Sequence, residues 1–208
     1  MVLQDKGGKP PTFPIVCIGG SAGSLAACID ILKEMPAKAG VAIVIVSHRA
    51  IRDSDGVLIR LLAKVTEMEV VEAVDEIPLE RGCVFVSPPH RQLTTDGVIL
   101  RLVPGLTENH GWPTVIDDFM FSMASTYTSR AIAIIVSGMG LDGSAGLSAV
   151  KEAGGWTLAQ SDASWPDMPQ AAIDTNDVDL VLRAAEIGKY LASLNAHLPG
   201  QLQAKQRP

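Results

Sequence analysis

Ile15-Val16-Cys17-Ile18-Gly19-Gly20-Ser21-Ala22-Gly23-Ser24, residues 15–24, runs from an apolar stretch into a glycine-rich turn. Leu25, Cys28, Ile29 and Leu32 then recur at helical spacing. The reading is strand, tight turn, helix. The same form returns where the apolar stretch Ala131 to Val136 meets Gly138-Met139-Gly140-Leu141-Asp142-Gly143, which opens a helix through about Ala153. Between the two, Val41 to Ser47 is continuous and rich in β-branched residues, as a strand buried on both faces of a parallel sheet should be, and it stops at His48.

Working outward, a helix is expected near Val57 to Val65, with short strands at Val70 to Ala73 and Cys83 to Ser87. Gln92 to Val103 alternates around Asp96-Gly97, the chemistry of an antiparallel hairpin turn. Ile116 to Thr126 reads as helix, Thr157 to Ala159 and Val178 to Val181 as the last strands, and Ala184 to Leu194 as a closing helix. Such alternation predicts an α/β fold: a doubly wound three-layer sandwich, mainly parallel, with an antiparallel hairpin at the edge. One domain is expected over residues 15–195, flanked by an N-terminal tail or linker (1–14) and a C-terminal tail (196–208).

Seventeen basic residues against 23 acidic ones leave a net charge of -6, which argues against nucleic acid or an anionic membrane as the main partner. No run reaches the ~18 apolar residues of a membrane span, so direct membrane insertion is not expected. Cys17, Cys28 and Cys83 lie in apolar runs without C-x-x-C spacing, which predicts buried, reduced thiols in a cytoplasmic protein.

In open α/β sheets ligands bind beyond the carboxyl ends of the strands, and Ser21, His48 and Asp142 all stand there. Gly19-x-Ser21-x-Gly23 fits a nucleophile elbow, in which glycines permit a strained turn that presents the hydroxyl at a helix start. The plainer reading of Ser21 is a helix cap. A serine needs a base within hydrogen-bond reach, and His48, at the end of a strand expected beside the first, is the best candidate of four; His90 and His110 lie in loops and His197 near the terminus. Asp142 would orient that base, although Asp-Gly is also a common turn pair. The chain order Ser, His, Asp disfavours an ordinary α/β-hydrolase, which runs Ser, acid, His.

Ile18-Gly19-Gly20-Ser21-Ala22-Gly23, Ser47-His48, the stretch from Glu72-Ala73-Val74-Asp75-Glu76 to Pro88, the block Ser137 to Gly146 and Met168-Pro169 together resemble the catalytic domain of the chemotaxis protein-glutamate methylesterases, the CheB family. The likeness runs in order over about Ile15 to Leu194. It implies hydrolysis of γ-glutamyl methyl esters on a methylated chemoreceptor or other methylated membrane signalling protein, releasing methanol, often with glutamine deamidation. Carried over by position, Ser21 is the nucleophile, His48 the general base and Asp142 its partner. The backbone at Ala22 and Met139 supplies the oxyanion contacts, and neither metal nor cofactor is expected.

The chain departs from the family pattern at three places. Ser21-Ala22 replaces a Ser-Thr pair, Gly111-Trp112-Pro113-Thr114 replaces a His-Arg-Pro-Ser run, and Asp167-Met168-Pro169-Gln170 lacks the usual glycine and basic residue. Only 14 residues precede the first strand, so control by a receiver domain within this chain is not expected. Two other readings compete. Gly138-x-Gly140-x-x-Gly143 with Asp162 matches a dinucleotide fingerprint, although Asp142 would set a negative charge beside the pyrophosphate. Alternatively, the fold serves as a noncatalytic CheB-like binding module. Trp112, Trp156 and Trp165 could line a groove for a protein helix, although scattered tryptophans are more often packing residues.

Overall fold

Hydrophobic runs become strands here because both faces of the sheet are covered. The computed structural model describes residues 12–48, 56–103, 108–109 and 112–194, with residues 108, 109 and 112 as backbone alone. The expected tails and the loop histidines His110 and His197 lie largely or wholly outside these residues. β1 (Ile15–Gly20) is buried along its whole length, and the β1 side chains alternate between two cores. Ile15 and Cys17 face one side, Val16 and Ile18 the other, the two-residue period of a strand buried on both faces.

β1 pairs in parallel with β2 (Ala42–Ser47) on one side and with β10 (Ala131–Ile135) on the other. Beyond β2 lie β5 (Cys83–Val86) and β3 (Glu69–Glu72); beyond β10 lie β11 (Trp156–Gln160) and β12 (Leu180–Leu182). All pairings in this seven-stranded sheet are parallel. The chain winds outward from β1 in one direction and, from β10 onward, in the other. The β1/β10 boundary is therefore the topological switch point, where the strand ends open a crevice.

One face is covered by α1 (Ser24–Lys33), α2 (Val57–Ala63) and α6 (Ala184–Ser193). The other is covered by α3 (Val115–Tyr127), α4 (Ser144–Glu152) and α5 (Asp167–Asp174). The α1 stripe is rotated from the expected one: Ala27, Cys28, Ile31 and Leu32 are buried, while Leu25 and Ile29 sit at the margin.

The Asp96-Gly97 hairpin forms between β6 (Gln92–Thr95) and β7 (Ile99–Val103), with Gly97 at φ 93. It is not bonded to the parallel sheet. With β4 (Ile77–Pro78) it makes a separate three-stranded antiparallel sheet whose Leu93 and Leu100 join the α3 core. A two-stranded ribbon, β8 (Glu108–Asn109) with β9 (Trp112–Pro113), leads into α3. Cys17 and Cys28 are buried free thiols, but Cys83 is only partly buried because β5 begins near the sheet margin beside Glu69.

α3 is the packing centre of its layer, with Ile116, Phe119, Met120, Met123 and Tyr127 all fully buried. Phe119→Ala should lower the unfolding free energy by about 3–5 kcal/mol in urea titration, the range for emptying a buried aromatic site; a loss below about 1 kcal/mol would show that this core is loosely packed.

Candidate active site at the switch point

Three chain segments meet at the carboxyl edge of β1, β2 and β10. The β1/β2 register ends on Gly20 opposite Ser47, so Ser21 and His48 are the next residues on adjacent parallel strands. Asp142 lies in the turn between β10 and α4. His48 Nε2 and Asp142 Oδ2 are 2.7 Å apart, and the carboxylate is nearly buried at 5% exposure. Pairing through Nε2 leaves Nδ1 as the ring nitrogen not engaged by the acid. Among the described residues no hydrogen bond joins the Ser21 hydroxyl to the ring, and such contacts often tighten only with substrate bound.

Ser21 does not cap α1. The N-cap is Gly23, without a side-chain cap bond, so the plain capping reading fails. The expected strain is not on the serine either: Gly23, at φ 76, takes the left-handed position, and Ser21 is not among the residues with positive φ. Gly23 also leaves space that a side chain would fill, since a Cβ there would lie 2.7 Å from Ser137 Oγ and 3.0 Å from the Trp165 ring. The Ser21 N–H donates to Ser137 O at 3.0 Å, which fixes the serine turn to the segment just past β10. Ser137 Oγ then donates to Ala22 O at 2.8 Å and accepts from Trp165 N–H at 3.0 Å.

The loop after β10 presses directly on this turn. A Cβ on Gly138 would stand 2.9 Å from Ser21 N, so only glycine permits the approach. Gly138 N–H donates to Trp165 O, whereas the N–H groups of Ala22 and Met139 have no hydrogen-bond partner among the described residues. Two uncommitted donors beside a serine are what a developing oxyanion would need.

Asp142 is placed by α3. Its Oδ2 accepts the Ile116 N–H at 3.0 Å and its Oδ1 accepts the Asp117 N–H at 2.9 Å. These are the second and third donors of the helix, the ones a local N-cap side chain normally satisfies. Thr114, the residue at the N-cap, does not do so and instead donates to Asp118. Asp142 is thus an N-cap supplied from 25 residues away in the chain.

The competing readings fare differently. A dinucleotide pyrophosphate would sit on the N-terminus of α4, but there Gly146 N–H already donates to Asp117 Oδ1 at 2.7 Å. Asp162, the proposed ribose ligand, accepts from Gln160 Nε2 and from Ala184 N–H at the start of α6. Both positions are occupied by the fold itself. Among the described residues no His, Cys, Asp and Glu group could hold a metal, and His90 is an exposed turn residue at φ 54. Trp156 and Trp165 do not share a groove. Trp156 begins β11 and packs on Tyr190 at a ring separation of 6.3 Å, Trp165 lies beyond the carboxyl end of the same strand, and the Trp112 side chain is outside the described residues.

Fold and site together define a doubly wound α/β protein with a His–Asp relay beside a serine turn. The CheB methylesterase family matches residues 16–191, and the chain belongs to it. It is 41% identical over 152 residues to an uncharacterized 104.1 kDa protein of Rhodobacter capsulatus, covering 71% of this chain and 16% of that one. A protein-glutamate methylesterase/protein-glutamine glutaminase of Moorella thermoacetica is 32% identical over 90% of this chain and 45% of its own length. The crystal structure of the Thermotoga maritima CheB methylesterase catalytic domain superposes with a TM-score of 0.82 at 30% identity, covering 88% of this chain and all of that one. The chain thus spans less than half the length of these two sequence relatives.

Asp117 is the site residue that periodicity did not single out. Burial, opposed by hydrogen bonds from Gly146 and Gly143 and reinforced by the charges of Asp142 and Asp118, pushes its carboxyl up from 3.8 to about 6. The folded state therefore holds this proton more tightly than the unfolded chain. The stability it contributes is complete below about pH 4 and is lost as pH rises through about 6. Asp117→Asn removes that titration, so the melting temperature of the variant relative to wild type should climb between about pH 4 and about pH 7. A constant difference across that window in calorimetry would show that Asp117 is not held in its protonated form.

Proposed function

We propose that residues 15–195 form a cytoplasmic protein-glutamate methylesterase unit that hydrolyses γ-glutamyl methyl esters on a methylated chemoreceptor. The His48–Asp142 bond, set beside Ser21 at the switch point of a chain in the CheB methylesterase family, is the observation that carries this reading. No helix among the described residues is long and apolar enough to cross a membrane.

Ser21 Oγ attacks the ester carbonyl while His48 accepts the hydroxyl proton on Nδ1, the nitrogen turned away from Asp142. Asp142 stays ionised and stabilises the imidazolium through Nε2–H. The oxygen, now negative, is received by the N–H groups of Ala22 and Met139. His48 returns its proton to the departing methoxide, giving methanol and an acyl-serine. Water, deprotonated by His48, then attacks the acyl carbon, releasing glutamate and restoring the serine. Replacing the family's threonine with Ala22 removes a hydroxyl but no backbone donor. A glutamine side chain would follow the same course with ammonia as the leaving group.

Ser21→Ala should reduce methanol release from a methylated receptor by roughly ten-thousand-fold or more. Its melting temperature should stay near wild type, because the hydroxyl makes no hydrogen bond to the fold among the described residues. Unaltered turnover would remove Ser21 from the mechanism. A fluorophosphonate probe separates the enzyme from a noncatalytic binding module: Ser21 should be labelled in the wild type and not in His48→Ala. No labelling of the native wild type would favour the module.

A further inference from the structure

Two helix N-termini and two carboxylates are cross-wired behind the base. Asp142, from the turn that opens α4, caps α3 through the Ile116 and Asp117 N–H groups. Asp117, from the first turn of α3, caps α4 through the Gly146 N–H. Each helix thus receives its capping carboxylate from the start of the other. The crossing is tight: a Cβ on Gly146 would fall 2.6 Å from the Met120 Cβ and 2.9 Å from the Asp117 carbonyl oxygen. Gly143, which ends the turn bearing Asp142, is similarly confined against Ile116 and Ile135. The turn that carries the acid therefore has almost no freedom once α3 and α4 are locked together.

We propose that Asp117 is a positioning residue for the acid of the relay: its backbone N–H and its carboxylate bind the starts of α3 and α4 to each other, so that Asp142 is fixed against His48. The inference deepens the esterase reading and rests on it for its kinetic arm. The arrangement also has an electrostatic side. The charged groups around Asp117 are Asp142 from the β10–α4 turn and Asp118 on its own helix, with His48 beyond Asp142. When ionised, Asp117 adds negative charge behind the relay and favours the imidazolium form of His48. Asparagine keeps an oxygen to accept from Gly146 and removes that charge; alanine removes both.

The test compares Asp117→Asn and Asp117→Ala in the whole chain. Its first readout does not depend on turnover: the downfield proton resonance of the Nε2–H bond between His48 and Asp142 in ¹H NMR. It should persist in Asp117→Asn and broaden or move upfield in Asp117→Ala. The second is the pH dependence of fluorophosphonate labelling at Ser21. Asp117→Ala should label about tenfold more slowly at saturating pH, and Asp117→Asn should recover most of that rate. The acidic limb of the Asp117→Asn profile should lie roughly half a pH unit lower than that of wild type. A purely structural role would lower the folded fraction and leave both the profile and the NMR signal of the folded molecules in place, overturning the proposal. Wild-type labelling without methanol release would defeat the ester substrate alone, leaving Asp117 still judged by resonance and labelling.

Discussion

Burying a carboxylate is costly unless donors meet both of its oxygens, and at Asp142 three of them do. Two are backbone N–H groups at the start of α3 and the third is His48 Nε2. The helix terminus presents these donors together with the positive end of its dipole, so the charge is stabilised where it is needed to face the imidazole. That single arrangement ties one layer of helices to the loops at the carboxyl edge of the sheet. It also explains why α3 lies where it does: Ile116, which donates to the acid, rests its side chain on Gly19 of β1, where any larger residue would push the helix away.

Ser21, the proposed nucleophile, is held by a different device. Ser21 sits in an unstrained turn, and its order comes from its bond to Ser137 O and from the two bonds made by the Ser137 hydroxyl. Ser137 is itself anchored, its N–H donating to the nearly buried Gln160 side chain at 2.9 Å. The segment that follows β10 thus organises both halves of the candidate site: Ser137 grips the serine turn, and the loop beyond it carries Asp142. A switch point makes this possible, since only there do two neighbouring strands send their loops in opposite directions and leave a space between them.

Much of this was legible because the main sheet is parallel and doubly buried. Uninterrupted apolar runs such as Val41 to Ser47 and Ala131 to Val136 have few other uses, and the glycine-rich turns mark where they stop. Ser21 and His48 could be nominated because each stands just past such a run, and Asp142 because it lies in the glycine-rich turn that follows another. The weaker signals belonged to pieces whose structure depends on distant partners. α5 carries Pro169 in its first turn and buries only Met168, Pro169 and Ala172, too short a pattern to stand out. The hairpin at Asp96-Gly97 was plain from its turn chemistry, but its separation from the main sheet depends on pairing with Ile77–Pro78, a two-residue strand with no period to read. Asp117 carried no local signal at all, because an acidic residue in the first turn of a helix is ordinary and its capping of another helix is a tertiary fact.

The surroundings of the site bear on how strongly its charges act. Met139, Leu141 and Trp165 are large apolar side chains left exposed at 53%, 72% and 47%, on the two loops that flank the serine turn. A partner laid across them would displace water from apolar surface, which is favourable, and would at the same time lower the effective dielectric around the relay. The His48–Asp142 bond and the Ala22 and Met139 donors would then act more strongly on a developing oxyanion than they do in the open site. On the proposed esterase reading, the burial of Met139, Leu141 and Trp165 by a partner would therefore strengthen the proposed chemistry beneath them.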